Sequence, residues 1–143
     1  MKYVNVALIG LSMFLGFGTL LSAADKQKNQ DNDVIKITVK DNDKTIKAAT
    51  GKKIEIQLKG NPTTGFEWRM AELKSEVLKS DGKMTYIPDK FDPPRVGSGG
   101  IFVFKFVTAK SGKATVKFEY LRSWEKDKAP AGKFSVNIIV AEK

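Results

Sequence analysis

Apolar and polar residues alternate along much of this chain with a period of two, the spacing of a half-buried β-strand. Ile35, Ile37 and Val39 alternate with Lys36, Thr38 and Lys40, and Ile54, Ile56 and Leu58 with Glu55, Gln57 and Lys59. Phe66, Trp68 and Met70 flank Glu67 and Arg69 in the same way. Ala114, Val116, Phe118 and Tyr120 give one inward face, and Phe134, Val136, Ile138 and Val140 another. Residues 101–108 are apolar on both faces, which predicts a central strand covered on both sides. Residues 83–88 read as a strand with Met84, Tyr86 and Pro88 on one side; a proline there fits only near the strand's end. Residues 71–80 have good helix propensity but are few and flanked by strands, so an irregular edge segment is expected. The predicted strands are thus 34–40, 53–59, 66–71, 83–88, 100–108, 113–121 and 132–141, with a short return near 44–48. Seven or eight short strands separated by turn residues indicate an all-β, immunoglobulin-like β-sandwich.

Three connections differ in composition from ordinary turns. The first is Gly60-Asn61-Pro62-Thr63-Thr64-Gly65-Phe66. Pro62 fixes one φ, Gly65 permits a positive φ, and Thr63 and Thr64 are stiff at χ1. A stiff loop loses little entropy on docking, which suits binding; the same residues also make an ordinary strand-to-strand turn. The second runs from Asp89 to Gly100, with Pro93 and Pro94 early and Gly97, Gly99 and Gly100 late. The third runs from Leu121 to Gly132, with Trp124 outside the inward register of the preceding strand and among polar neighbours. If consecutive strands reverse direction, these three connections leave the same end of the sandwich.

Charge and missing residue types narrow the function. The chain has 143 residues, a net charge of +9, and neither cysteine nor histidine. Disulfides, Cys-His or Ser-His-Asp catalytic units and the usual zinc sites are therefore excluded, and no cofactor is expected. The lysines are spread over the polar sides of the strands, as on a solvated surface, and no nucleic-acid module accompanies them. Met1-Lys2, the apolar run Val4–Leu21 and the small residues Ser22-Ala23-Ala24 predict a secretory signal peptide over residues 1–24. An uncleaved membrane anchor is the alternative. Residues 25–33 read as a flexible lead-in and 34–143 as one domain, a monomer with no stable membrane association once the signal is removed. The compartment expected is the secretory pathway: secreted, periplasmic or in lysosome-like vesicles.

Three motifs in order carry a resemblance. Asn61-Pro62-Thr63-Thr64-Gly65-Phe66, Gly97-Ser98-Gly99-Gly100 and Arg122-Ser123-Trp124 resemble the three motifs of chagasin-type inhibitors of papain-like cysteine peptidases. There the third reads Arg-Pro-Trp or Arg-Pro-Phe; Ser123 stands where proline is usual, which implies a looser third loop. The resemblance covers the domain but not the signal or lead-in. It implies a reversible, non-covalent inhibitor of papain-like (cathepsin-type) peptidases whose three loops occlude the cleft. The loop at Asn61–Gly65 would lie over the target's catalytic residues, with Thr63 and Thr64 supplying hydroxyl and backbone contacts. The segment Gly97–Gly100 would take one flank, and Arg122 and Trp124 the other. Trp and Arg are also the commonest interface anchors on general grounds. Phe91, Pro93 and Pro94 could add contacts of their own.

Each of these residues has a plainer use. Phe66 fits the margin of the core, Asn61 a turn cap, Gly99 and Gly100 the start of a strand, and Arg122 the surface. An adhesion or ligand-binding module using the same loop end is the competing function. A glycosidase is disfavoured because the loops carry few acids.

Overall fold

The computed structural model describes residues 33–73 and 75–142; the predicted signal peptide, and the lead-in up to residue 32, lie outside them. The described residues form nine strands: β1 (Val34–Thr38), β2 (Thr45–Ala49), β3 (Lys53–Gly60), β4 (Glu67–Glu72), β5 (Leu78–Ser80), β6 (Thr85–Pro88), β7 (Gly100–Thr108), β8 (Gly112–Leu121) and β9 (Gly132–Ala141). They form two sheets. One runs β1-β3-β7, with β5 and β6 pairing in succession along the far edge of β7; the other runs β2-β9-β8-β4.

The alternation sets which faces meet. Ile54, Ile56 and Leu58 of β3 and Phe102 and Phe106 of β7 are buried, as are Val116 and Phe118 of β8 and Val136 and Ile138 of β9. Their polar neighbours face water. Phe104 and Phe118 pack with ring centroids 4.4 Å apart. Each such side chain contributes about 1.5–3 kcal/mol by leaving water, so packing holds the domain without a covalent staple. Thr108 is the one buried polar side chain among the described residues. Its hydroxyl accepts from the Lys52 N–H (2.8 Å) and donates to the Ala49 carbonyl (2.8 Å). This ties the β2–β3 turn to the end of β7.

Three local expectations change. Residues 34–40 and 53–59 do not reverse direction: β1 and β3 are parallel, because β2 carries the chain to the other sheet and back. Residues 39–41 form a 3-10 turn instead of ending the first strand, which leaves Val39 exposed. The segment expected to be irregular contains β5, which pairs with β7; three residues are too few to establish a period. Strand β7 is central, but among the described residues no third layer covers its outer face. Val103 is buried there, while Ile101 and Val107 are half-buried.

The registers show where the loops leave the sandwich. Gly60 and Pro88 both pair with Gly100, so β3 and β6 end where β7 begins. Glu67 pairs with Leu121, and Tyr120 with Gly132, so β8 ends where β4 and β9 begin. Connections 61–66, 89–99 and 122–131 therefore share one pole. The turns at Gly51 and Ala109 occupy the other, where the Gly51 N–H donates to the Thr108 carbonyl (2.8 Å).

Candidate functional site

The first loop is a capped 3-10 turn, Pro62–Thr64. Asn61 caps it: its Oδ1 accepts from the Thr63 N–H (3.1 Å) and the Thr63 hydroxyl (2.6 Å). The Thr64 hydroxyl donates to the Asn61 carbonyl (2.6 Å). The Gly65 N–H closes the turn on the Pro62 carbonyl (2.9 Å), with Gly65 at φ 81°. Both threonine hydroxyl hydrogens are thus held inside the loop. Thr63 and Thr64 are exposed, and their hydroxyl oxygens keep lone pairs that can accept from a partner.

Asn61 also reaches out of its loop. Its Nδ2 donates to the Gly97 carbonyl (2.8 Å), joining the first loop to the second. Its backbone N–H donates to the Tyr120 hydroxyl (2.8 Å), anchoring the loop on β8. Tyr120 stacks on Phe66 with centroids 5.2 Å apart, so the half-buried Phe66 braces the loop from below. Trp68 is buried, and its Nε1 donates to the Lys59 carbonyl (2.8 Å), tying β4 to β3 beneath the tip.

The second loop's glycines have different reasons. Gly97 sits at φ 75° in the open, where an L side chain would be strained. A Cβ on Gly99 would lie 3.1 Å from the Gly60 carbonyl oxygen, and one on Gly100 would lie 2.6 Å from the Tyr86 hydroxyl. Gly99 therefore lets two loops approach each other. Gly100 is buried and acts indirectly, by letting β7 lie close against the Ile87 carbonyl and the Tyr86 ring of β6. Ser98 donates its hydroxyl to the Arg95 carbonyl (3.2 Å). Phe91 is exposed, with the Arg95 guanidinium 5.3 Å from its ring centroid. Pro93 and Pro94 are exposed as well.

The third loop folds back on the first. Arg122 Nε donates to the Thr64 carbonyl (3.0 Å), and its guanidinium lies 4.3 Å from the Phe66 ring centroid. Trp124 is 64% exposed. The covered part of its indole lies over Gly65, where a Cβ would come within 2.7 Å of Cζ2. Gly65 is therefore required twice, for its φ and for its missing side chain. The Glu125 carboxyl is held below the usual carboxylate value, chiefly by the hydrogen bond from Lys128; burial opposes this, and the Lys128 charge and then Arg122 lower it further.

The structure thus brings Asn61, Pro62, Thr63, Thr64, Gly65, Gly97, Ser98, Gly99, Arg122 and Trp124 to one protruding edge, with Phe66 and Gly100 behind it. Three residues at the tip escaped the sequence reading, Glu125 among them. Tyr120 looked like an ordinary inward strand residue. Val96 is fully exposed beside Gly97, and its only signal was an apolar side chain isolated in a polar loop. A concavity of about 550 Å³ lined by Asn42, Lys117 and Lys133 lies on the outer face of the β2-β9-β8-β4 sheet, away from the tip. Among the described residues no group of His, Cys, Asp and Glu could hold a metal ion.

Known proteins resemble this chain in sequence and in fold. The family model for the chagasin family peptidase inhibitor I42 matches residues 47–138, which contain all three loops. Chagasin of Trypanosoma cruzi is 32% identical over 104 residues, covering 71% of this chain and 93% of that protein. Amoebiasin-1 of Entamoeba histolytica is 31% identical over 88 residues, covering 62% of this chain and 82% of that protein. The crystal structure of a cysteine protease inhibitor from Entamoeba histolytica superposes with a TM-score of 0.68 at 26% identity, over 76% of this chain and 96% of that one. These relatives are inhibitors, not enzymes, and the match runs through the strands that carry the tip: the chain belongs to the chagasin family of peptidase inhibitors.

Proposed function

We propose that this protein inhibits papain-like, cathepsin-type cysteine peptidases reversibly and without a covalent bond, by seating its three-loop edge in the active-site cleft. The observation that carries the reading is the pair of cross-loop hydrogen bonds, Asn61 Nδ2 to the Gly97 carbonyl and Arg122 Nε to the Thr64 carbonyl. They make three loops one preformed edge, so little ordering is left to offset binding. Asn61–Gly65 enters the cleft centrally. Gly97–Gly99 with Val96 takes one flank, and Arg122 with Trp124 the other. An interface of standard size, about 1,600 Å², is expected.

The loop's geometry also explains why it would resist cleavage. Hydrolysis needs a peptide bond in near-attack alignment, with its carbonyl in an oxyanion hole. Here the Asn61 carbonyl accepts from the Thr64 N–H (3.2 Å) and hydroxyl, the Pro62 carbonyl from the Gly65 N–H, and the Thr64 carbonyl from Arg122. Three of the loop's carbonyls are held by the protein itself, in a tight turn instead of an extended strand. With no cysteine in the chain, no mixed disulfide with the target thiolate can form. The domain acts as a monomer in the secretory pathway once residues 1–24 are removed, and its packing survives thiol-rich surroundings.

The test is an inhibition assay with papain and a fluorogenic peptide. Competitive inhibition is expected, with activity regained on dilution and the inhibitor recovered intact by mass spectrometry. Absence of inhibition, or cleavage within 61–66 at the substrate rate, would end the proposal.

A further inference from the structure

The third loop consists of two successive turns that share one residue. The Glu125 N–H donates to the Arg122 carbonyl (3.1 Å), closing a turn with Ser123 and Trp124 at its centre. The Lys128 N–H donates to the Glu125 carbonyl (3.3 Å), closing the next, with Lys126 and Asp127 central. The side chain of the shared corner spans both turns: Glu125 Oε1 accepts from Arg122 Nη1 (3.3 Å) and from Lys128 Nζ (3.0 Å).

Exposed pairs three residues apart usually contribute little. This one differs in two ways. The Glu125 and Arg122 side chains are only 21% and 33% exposed. Arg122 also bonds through its second nitrogen to the Thr64 carbonyl, with its guanidinium over Phe66. A continuous chain therefore runs from Lys128 through Glu125 and Arg122 to the first loop, and Trp124 lies in the turn that this chain closes. Ser123 occupies the second position of that turn, where proline is favoured because its ring presets φ. Serine leaves that angle free.

We propose that Glu125 is a positioning residue for inhibition: its carboxylate staples the two turns and so holds Arg122 and Trp124 against the first loop, supplying by charge the stiffness that proline at position 123 would supply covalently. The proposal rests on the inhibitor reading above. It predicts where the effect appears. A loosened loop is competent for only a fraction of the time, and apparent affinity falls by that fraction. Once docked, the loop is held by the enzyme. The association rate should therefore fall while the dissociation rate stays.

The experiment measures association and dissociation rates with papain for the full chain and for E125Q, E125A, S123P and S123P/E125A, with W124A as a reference. Thermal unfolding of each variant is recorded alongside. E125A and E125Q are expected to associate about 10-fold more slowly, as for a competent fraction of roughly one tenth, with dissociation within about 2-fold of wild type. S123P/E125A is expected to regain the wild-type association rate to within about 2-fold, because a rigid residue 123 makes the staple unnecessary. An E125A variant that associates normally would overturn the proposal. So would slow association that S123P fails to rescue, since Glu125 would then touch the enzyme or support the fold at large. If wild type does not inhibit papain, the inhibitor reading itself fails; if W124A inhibits as well as wild type, the third loop is not an anchor and the positioning role falls while inhibition stands. The first outcome is separate from normal inhibition by both wild type and E125A.

Discussion

Replacing Asn61 tests whether the tip works as one body. The side chain makes three hydrogen bonds: two accepted by Oδ1 from Thr63, and one donated by Nδ2 to the Gly97 carbonyl (2.8 Å). A typical intramolecular hydrogen bond contributes about 0.5–1.5 kcal/mol net, and loss of an N-cap side chain costs about 0.5–2 kcal/mol. The Thr63 groups freed in Asn61→Ala are at the surface and can be hydrated, so the lower half of the range applies. We expect about 0.5–1.2 kcal/mol of lost stability, a Tm lower by roughly 2–8 °C. Asn61→Ser separates the two roles. A serine hydroxyl can still cap the Thr63 N–H but is too short to reach Gly97. It should keep most of the stability yet release the second loop. Inhibition constants against papain are expected to rise about 10- to 100-fold for Asn61→Ala, equivalent to about 1.4–2.7 kcal/mol, with most of that loss shared by Asn61→Ser. Both variants are read by tight-binding inhibition and by calorimetric unfolding. If both inhibit within 2-fold of wild type, the loops do not need each other and preorganisation is not the source of affinity.

Other perturbations give distinct signatures. Gly65→Ala meets both a positive φ (81°) and the Trp124 ring; it should lower potency more than 10-fold, as for a displaced anchor costing about 1.4 kcal/mol or more, and change the tryptophan emission. Trp124→Ala should weaken inhibition roughly 30-fold, about 2 kcal/mol as at interface hot spots, while leaving Tm nearly unchanged because the side chain is 64% exposed. Acid should act through Glu125, whose folded pKa is lowered from the ordinary 4.5. The staple's contribution is then complete above about pH 4.5 and is lost as pH falls through the lowered folded value. The ratio of wild-type to E125Q potency is therefore expected to stay constant from pH 7 to about 4.5 and to shrink towards one only below that; a ratio independent of pH throughout would contradict it. Asp41, lowered from the ordinary 3.8 chiefly by the Thr38 N–H, lies in the β1–β2 connection, outside the three loops; its contribution to stability should be lost only as pH falls below about 3.8, without touching potency.

The strands were legible wherever one face is buried and the run is long. Residues 54–58, 114–120 and 134–140 announce themselves because one register hides nearly every apolar side chain, Ile139 being the exception, and the alternative exposes them. Strand β5 was not legible, since Leu78 alone of its three residues is buried. The parallel pairing of β1 with β3 was hidden too: a five-residue β2 that joins the other sheet leaves no mark on the flanking alternation. The common pole of the three loops was expected from composition and from strands that reverse direction; that reversal fails for β1 and β3, yet the registers at Gly60, Gly100 and Leu121 put the ends of the three connections together. The internal wiring of the tip did not follow. Nothing in Thr63 or Thr64 says that their hydroxyls point inward, and nothing in Tyr120 says that its hydroxyl reaches Asn61. Glu125 escaped because a staple between loop residues three apart has no periodicity behind it. Such contacts are set by backbone geometry that only the folded chain supplies.

The most direct measurement is calorimetric titration of papain with this protein, once with the cleft open and once with the catalytic cysteine alkylated by a peptidyl inhibitor that fills the cleft. The account predicts one-to-one binding to the open enzyme and loss of that binding to the filled one. Equal affinity for both forms would show that the three-loop edge docks elsewhere and does not plug the active site.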